Sequence, residues 1–397
     1  MIWLTLLIPL IVSIVIYFYF NSINNDSYNW QTNKIEIFLY VSCIPVGFVA
    51  FVILITSLIM ENYNQTDTEY LSYYISKIRH EDEWNEQVRV RKTRTYRDAD
   101  GKEHEETYYV NETKYHPEKH IAYLNNDDKI TISGQYYNQI KKSWNVPMKF
   151  IDMHRHYHTI DGDAQEYEWN NNKETIETYV IEHQYKNKII GSQSAFKFNE
   201  ITEKEAKQLG LYDYPELKGH TQNFIIGYDK FVSHKNRRQI QILNSLYGKD
   251  KEVTFFVLIY PNTTVSIVED QRSYWQGGNK NEFVICVGVD SLTNNVQWAQ
   301  CFSWLDDVTM EVECRDFIVK QKTFNINKLS EWLENHLELW KRKEFKDFDY
   351  LNVNLSDKQE IAIIITVIIL SIIIGIIEYN ILKEKINKNG FRNNGRF

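Results

Sequence analysis

The sequence predicts an α+β protein with three transmembrane helices, two N-terminal and one C-terminal, flanking a soluble region with an antiparallel β-rich half and an α/β half that contains a βαβ unit. Three observations predict it. Apolar residues gather in long uncharged runs at both ends of the 397-residue chain. Alternating polar and apolar residues broken by strong turn dipeptides fill residues 86–200, as antiparallel strands require. Beyond residue 202, two continuous apolar runs bracket a helical one, the order of strand, crossover helix and parallel strand. The expected division is 1–63 for two transmembrane helices, 64–201 for the β-rich part, 202–357 for the α/β part, and 358–397 for the last helix and a basic tail.

Residues 1–20 (MIWLTLLIPLIVSIVIYFYF) and 37–60 hold no charged side chain. Each is long enough for a bilayer core, which about 20 helical residues cross. The first run lacks the basic start and small-residue cleavage site of a signal peptide, so a retained helix is expected. Cys43 runs straight into further apolar residues and does not read as a lipidation site. The third run, 361–377 with 379–382 appended, puts Glu378 either at a headgroup or inside the protein. Its tail carries Lys383, Lys385, Lys388, Arg392 and Arg396 against Glu384. Because basic flanks stay cytoplasmic, a multi-pass membrane protein with a cytoplasmic C-terminal tail and an extracytoplasmic central domain is expected.

Residues 66–78 read as a short amphipathic connector near the membrane. QVRVRKTRTYRD and HEETYYVNETKYH then flank Ala99-Asp100-Gly101-Lys102, and Asp-Gly is a strong hairpin turn. HIAYL and KITISG form a second hairpin, and Tyr136, Tyr137, Ile140 and Trp144 recur at helical spacing. Residues 148–198 alternate again. Residues 203–209 read as a short helix ended by Gly210, and Ser233 caps a helix to Tyr247 with Gly248 as its stop. VTFFVLIY, a helix from Thr263 or Thr264 to Trp275, and EFVICVGV make the βαβ unit, whose strands should be parallel with a right-handed crossover. VQWAQCFSW returns antiparallel, Asp306 or Asp307 caps a helix to Lys320, and a helix over 329–340 with a strand near 350–353 closes the half.

The formal net charge of −8, with no long basic run in the central region, argues against nucleic acid as a partner. No nucleophile elbow, phosphate-binding loop, dinucleotide fingerprint or H-E-x-x-H occurs, so no motif identifies a reaction. One candidate site joins Asn279, Lys280 and Asn281 to Asp306 and Asp307, because chain direction brings both loops to the same sheet edge. Such an edge can hold a divalent cation through oxygen ligands or an anion through backbone N–H groups. The same residues also serve as ordinary turn and helix-cap chemistry. A second candidate is Asp152, His154 and His156, which share one face of a strand and read as zinc ligands or as a solvated polar face. Alternate positions lie about 6.5–7 Å apart, so a partner from another strand would complete the set. Of four cysteines, Cys286 and Cys301 fall opposite one another if the hairpin turns at Thr293-Asn294, which allows a disulfide or two buried thiols.

The run from Val253 to Asp307, with its apolar strand, its helix, Tyr274-Trp275, Gly277-Gly278-Asn279-Lys280-Asn281, EFVICVGV and a returning strand, resembles the core of the TPM domain. That family is known from thylakoid-lumen and bacterial surface proteins. The resemblance implies a domain outside the cytoplasm beside a membrane helix, a role in maintaining membrane complexes, and for some members a metal-dependent phosphatase activity. The expected function is a membrane-anchored binding or assembly protein whose partners are the lipid bilayer and another membrane or envelope protein. The alternatives are a TPM-like metal-assisted phosphatase and a zinc-binding module, either of which would take a divalent cation.

Overall fold

The structure is a computed structural model that describes residues 6–24, 28–152, 163–192 and 194–393. Helices α1 (Leu7–Asn24) and α2 (Tyr28–Asn64) come first. Strands β1 (Thr66–Glu81), β2 (Trp84–Arg97), β3 (Glu103–His116), β4 (Lys119–Leu124) and β5 (Lys129–Thr131) follow, then α3 (Gly134–Trp144), β6 (Lys149–Ile151), β7 (Ala164–Glu168) and β8 (Thr178–Lys186). Next are α4 (Lys188–Gly191), α5 (Glu203–Leu209), β9 (Ile225–Gly227), α6 (His234–Lys251), β10 (Thr254–Pro261), α7 (Ile267–Tyr274), β11 (Glu282–Val289) and β12 (Val296–Ser303). Helices α8 (Thr309–Lys320), α9 (Ile326–Asn335) and α10 (Asp357–Asn393) complete the chain. It divides into two compact units: Met1–Asp67 with Tyr185–Lys197 and Phe345–Phe397, and Thr68–Gln184 with Phe198–Glu344.

In the first unit α1, α2 and α10 pack together. Val49 and Ile53 of α2 are buried against Ile363 and Val367 of α10, and Phe20 of α1 against Leu382. Among the described residues two helices contain stretches long and apolar enough to cross a membrane, Val46–Asn64 and Asp357–Glu384, while the apolar stretch Leu7–Ile23 of α1 is shorter. Their outward faces expose Ile11, Val15 and Phe18, Phe48 and Phe51, and Ile365, Ile369 and Ile372. So much contiguous apolar surface is unusual for a water-facing protein and suits hydrocarbon. Glu378 is buried inside the packed helices, where Ser13 Oγ donates to its Oε2 at 3.5 Å. Where α2 ends and α10 begins, the side-chain amides of Asn64 and Gln359 exchange hydrogen bonds of 2.8 and 2.7 Å. Asn64 also donates to the Asn354 carbonyl at 3.0 Å. The strand expected over 350–353 does not form; a 3₁₀ turn at Phe345–Phe348 and irregular chain take its place.

In the second unit the first sheet has the order β5-β4-β1-β7-β6, with β8 also paired to β1. β1 is therefore a 16-residue strand inside the sheet and not a short amphipathic connector. Its sequence misleads because Ser76 is an extra residue, a β-bulge between Ile75 and Lys77. The bulge shifts the buried positions from the series Glu69, Leu71, Tyr73, Ile75 to Ile78, and the spacing of Leu71, Ile75 and Ile78 then mimics a helix. Tyr137, Ile140 and Trp144 of α3 pack on Leu71, Tyr73, Ile75, Ala122 and Leu124 to form this half's core. Ser133 caps that helix by accepting from the Tyr136 N–H.

The second sheet has the order β12-β11-β10-β9. β9, β10 and β11 are parallel and β12 is antiparallel to β11, so β10, α7 and β11 form the expected βαβ unit. Every residue of β11 is buried, as a strand covered on both faces requires. Ser233 caps α6, but the helix runs through Gly248 to Lys251. Gly248 is there for close approach: a Cβ on it would stand 2.1 Å from the Ser72 carbonyl oxygen.

The register overturns the Cys286–Cys301 pairing. A shift after Gly288 places Cys286 opposite Gln300 and Cys301 opposite Ile285. A slip of one residue moves a side chain to the other face of a sheet, so the two thiols point apart. Cys286, Cys301 and Cys314 are all free and buried, and burial pushes the Cys286 and Cys301 thiols well up.

Candidate functional site

At the start of β11 the chain turns through Gln276, Gly277 and Gly278, all at positive φ. Gly277 is required twice over, because a Cβ would meet Phe198 at 2.5 Å and Trp304 at 2.9 Å. Glu282 closes the loop. Its buried carboxylate accepts the Asn279 N–H at 2.9 Å, the Asn279 side-chain amide at 2.7 Å, and the hydroxyl of Tyr214. The Trp304 indole donates to the Gly278 carbonyl at 2.9 Å, so the ends of α7 and β12 do meet at one sheet edge.

The candidate residues are not brought to one point, however. Lys280 pairs with Glu69 of β1, Nζ to Oε1 at 3.3 Å. Asn281 donates to the Tyr70 carbonyl at 2.8 Å and to Thr254 Oγ1 at 3.1 Å. Both residues thus tie β1 to the α/β sheet. Asp306 and Asp307 are exposed at the approach to α8, where Asp307 accepts from Thr309 N–H at 3.0 Å and Oγ1 at 2.6 Å. Those hydrogen bonds hold the Asp307 carboxyl below its ordinary value. Burial raises the Glu69 carboxyl, and the Lys280 cation opposes that rise.

Glu311, on α8, is pushed up to about 7 by burial, against the pull of the Arg272 guanidinium. A carboxyl raised on folding stabilises the fold fully below its unfolded value near 4.5 and loses that contribution as pH rises through about 7. With solvent screening of a half-buried group, the contribution is about 1–3 kcal/mol. The stability of wild type relative to Glu311→Gln, from urea unfolding, is therefore expected to fall by that amount between pH 4.5 and 7.5. A difference independent of pH would refute the assignment.

A long exposed feature of the second unit is the β2–β3 arm. These strands form a sheet by themselves, 14 residues each, in register from Trp84 opposite His116 to Arg97 opposite Glu103. At about 3.3 Å per residue the arm reaches about 45 Å. An isolated hairpin is marginal in water, and cross-strand pairs hold this one. Arg94 binds Glu106 through two nitrogens at 2.9 and 2.6 Å, Arg97 binds Glu103 in the same way, and Trp84 stacks on His116 at 4.0 Å. At the tip, Asp98 accepts from the Asp100 and Lys102 N–H groups and Gly101 takes the left-handed position. Both faces are exposed. Tyr109 and Tyr115 lie on one face with Arg89 over the Tyr109 ring, and Tyr96 and Tyr108 lie on the other with Arg94. Exposed tyrosine interleaved with arginine is the composition of interface hot spots.

Asp152 follows β6 and is exposed, whereas His154 and His156 lie outside the described residues. Sequence reasoning missed a different pair. His80 and His120 face each other across β1 and β4, and only the strand register reveals them. No protein-family model, no curated protein and no solved structure matches this chain.

Proposed function

We propose that the protein is a membrane-anchored binding or assembly factor that engages another membrane or envelope protein through the β2–β3 arm. The arm carries this reading: it is long, paired among the described residues only with itself, exposed on both faces and rich in tyrosine and arginine. Its outer strand edges, which pair with no other strand among the described residues, suit β-augmentation. Charges on both faces guard those edges against indiscriminate pairing.

The anchor in this reading is three spanning helices, α1 included, with the second unit extracytoplasmic and the basic tail after Leu382 cytoplasmic. The uncharged runs and the exposed apolar faces support it. The resemblance of residues 253–307 to the TPM core adds to the proposal a role in maintaining a membrane complex, and the parallel β10–α7–β11 unit with its antiparallel return is compatible with it. A metal-assisted phosphatase using Lys280, Asp306 and Asp307 draws less support, since Lys280 is engaged by Glu69 and Asp307 by Thr309.

The test is a photo-crosslinking amino acid placed at Tyr96 or Tyr109 in the full chain in its native membrane, with exposed Val319 of α8 as the control position. The arm positions are expected to yield a discrete adduct with one membrane or envelope protein that Val319 does not give. Identical patterns from arm and control would end the proposal.

A further inference from the structure

We propose that His80, Glu118 and His120 form a site for a divalent transition cation of the zinc class, placed to clamp the root of the β2–β3 arm. His80 lies opposite His120 in the β1–β4 ladder, which puts both imidazoles on one face of the sheet. The rings stack in parallel at 4.7 Å with an interplanar angle of 3°. Glu118 reaches over them. Its Oε1 is 2.7 Å from His80 Nε2 and 3.6 Å from His120 Nε2, and one ligand atom from each residue lies within 4.8 Å of the others.

Two features favour a cation over a plain ion pair. Bonds of about 2.0–2.1 Å in a tetrahedral site set ligand atoms about 3.3 Å apart, and the observed separations bracket that spacing. The His80 Nε2 atom is also buried and makes no aligned hydrogen bond, despite the carboxylate 2.7 Å away. The carboxylate thus sits beside the ring nitrogen, off the direction of its N–H, where a shared cation would serve both groups.

Two imidazoles and one carboxylate suit Zn²⁺ and its first-row neighbours. Asp82 Oδ1, 3.7 Å from His80 Nε2, is placed to add a fourth ligand or to orient a water there. The Tyr137 ring, 4.8 Å from that of His120, closes the inner side, and the half-exposed carboxylates of Glu118 and Asp82 leave the outer side open to an entering ion.

The position in the chain gives the site its meaning. His80, at the end of β1, and Asp82 lie within four residues before β2, and Glu118 and His120, at the start of β4, lie within four residues after β3. One cation would join the two feet of the arm and fix the angle at which it leaves the sheet. The cation site rests on its own geometry; its effect on partner binding rests on the arm reading.

The full chain in detergent, stripped with chelator, is titrated with Zn²⁺ and with Co²⁺. One equivalent is expected, with the visible absorption of tetrahedral Co²⁺. His80→Asn, His120→Asn and Glu118→Gln should each weaken binding by about 100-fold, the loss that removing even a supporting group can bring. Unchanged circular dichroism separates a lost ligand from a lost fold, and the exposed Glu118 serves where a histidine variant misfolds. His154→Ala with His156→Ala should leave binding intact. No bound metal, or binding that survives His80→Asn and Glu118→Gln, overturns the site. Metal binding without an effect on the Tyr96 adduct confirms the site and rejects only its coupling to the arm.

Discussion

Replacing Gly248 with valine is expected to destabilise the second unit by about 3–5 kcal/mol, beyond the usual overpacking penalty of about 1–3 kcal/mol. The reason is what the side chain would strike. A Cβ at this point of α6 would stand 2.1 Å from the Ser72 carbonyl oxygen and 3.1–3.2 Å from further Ser72 backbone atoms. Backbone inside a sheet cannot swing aside as the end of a flexible side chain can. Either α6 lifts from β1 or the bonds of β1 to its neighbours distort, and both expose the core around Leu71 and Ile75. Gly210→Ala is the control: that residue sits at φ +73° with nothing within 4 Å, so only backbone strain of about 1–2 kcal/mol applies. Thermal unfolding of the purified full chain, followed by near-ultraviolet circular dichroism, should rank Gly248→Val far below Gly210→Ala. Equal melting temperatures would mean that α6 and β1 do not pack as described.

The contrast between these glycines shows which parts of the fold the sequence could reveal. Gly210 ends α5 in the left-handed conformation, where a glycine after a helical run is the ordinary stop signal. Gly248 carries the same local signal for a different reason, and only the neighbour it admits, Ser72, distinguishes the two. The βαβ unit was legible because strands buried on both faces must be continuously apolar, and VTFFVLIY and EFVICVGV are. The arm was legible from Asp100-Gly101. β1 was not, because the bulge at Ser76 breaks the alternation by which a strand is recognised. The thiol pairing failed for a related reason: it placed the turn at Thr293-Asn294, whereas Val289 pairs with Val296, and the shift after Gly288 then sets Cys301 opposite Ile285, on the other face from Cys286.

Site chemistry was less legible than fold. The shared sheet edge was legible from chain direction: the Gly-Gly-Asn loop and the end of β12 meet where Trp304 donates to the Gly278 carbonyl. What Lys280 touches there is set by Glu69, whose distance along the chain gives no periodic or motif signal. His80 and His120 are hidden in the same way, since each is a lone histidine in its own strand until the register opposes them.

The Glu69–Lys280 pair supplies the second large effect, because Lys280 holds a carboxylate that burial disfavours. Glu69 is 7 % exposed, and its Oε2 is buried without a hydrogen bond. Lys280→Met removes the partner and leaves the charge, a change that costs about 3–5 kcal/mol for buried pairs. Glu69→Leu together with Lys280→Met removes both charges and should recover at least half of that loss. The pH dependence has a fixed sign. The Glu69 carboxyl is already raised by burial, and without Lys280 it rises further. The folded state then takes up a proton that the unfolded state releases, so the penalty of Lys280→Met is greatest at neutral pH and shrinks as pH falls toward 4.5, the ordinary value. Urea unfolding of the two single variants and the double variant at pH 7.5 and 5 gives the coupling directly, expected at about 2 kcal/mol or more at the higher pH. Additive effects within about 0.5 kcal/mol would show that the pair is not coupled. Lys280 would then be released from a structural role, and the edge of the β10–β11–β12 sheet would again be open to a ligand-binding one.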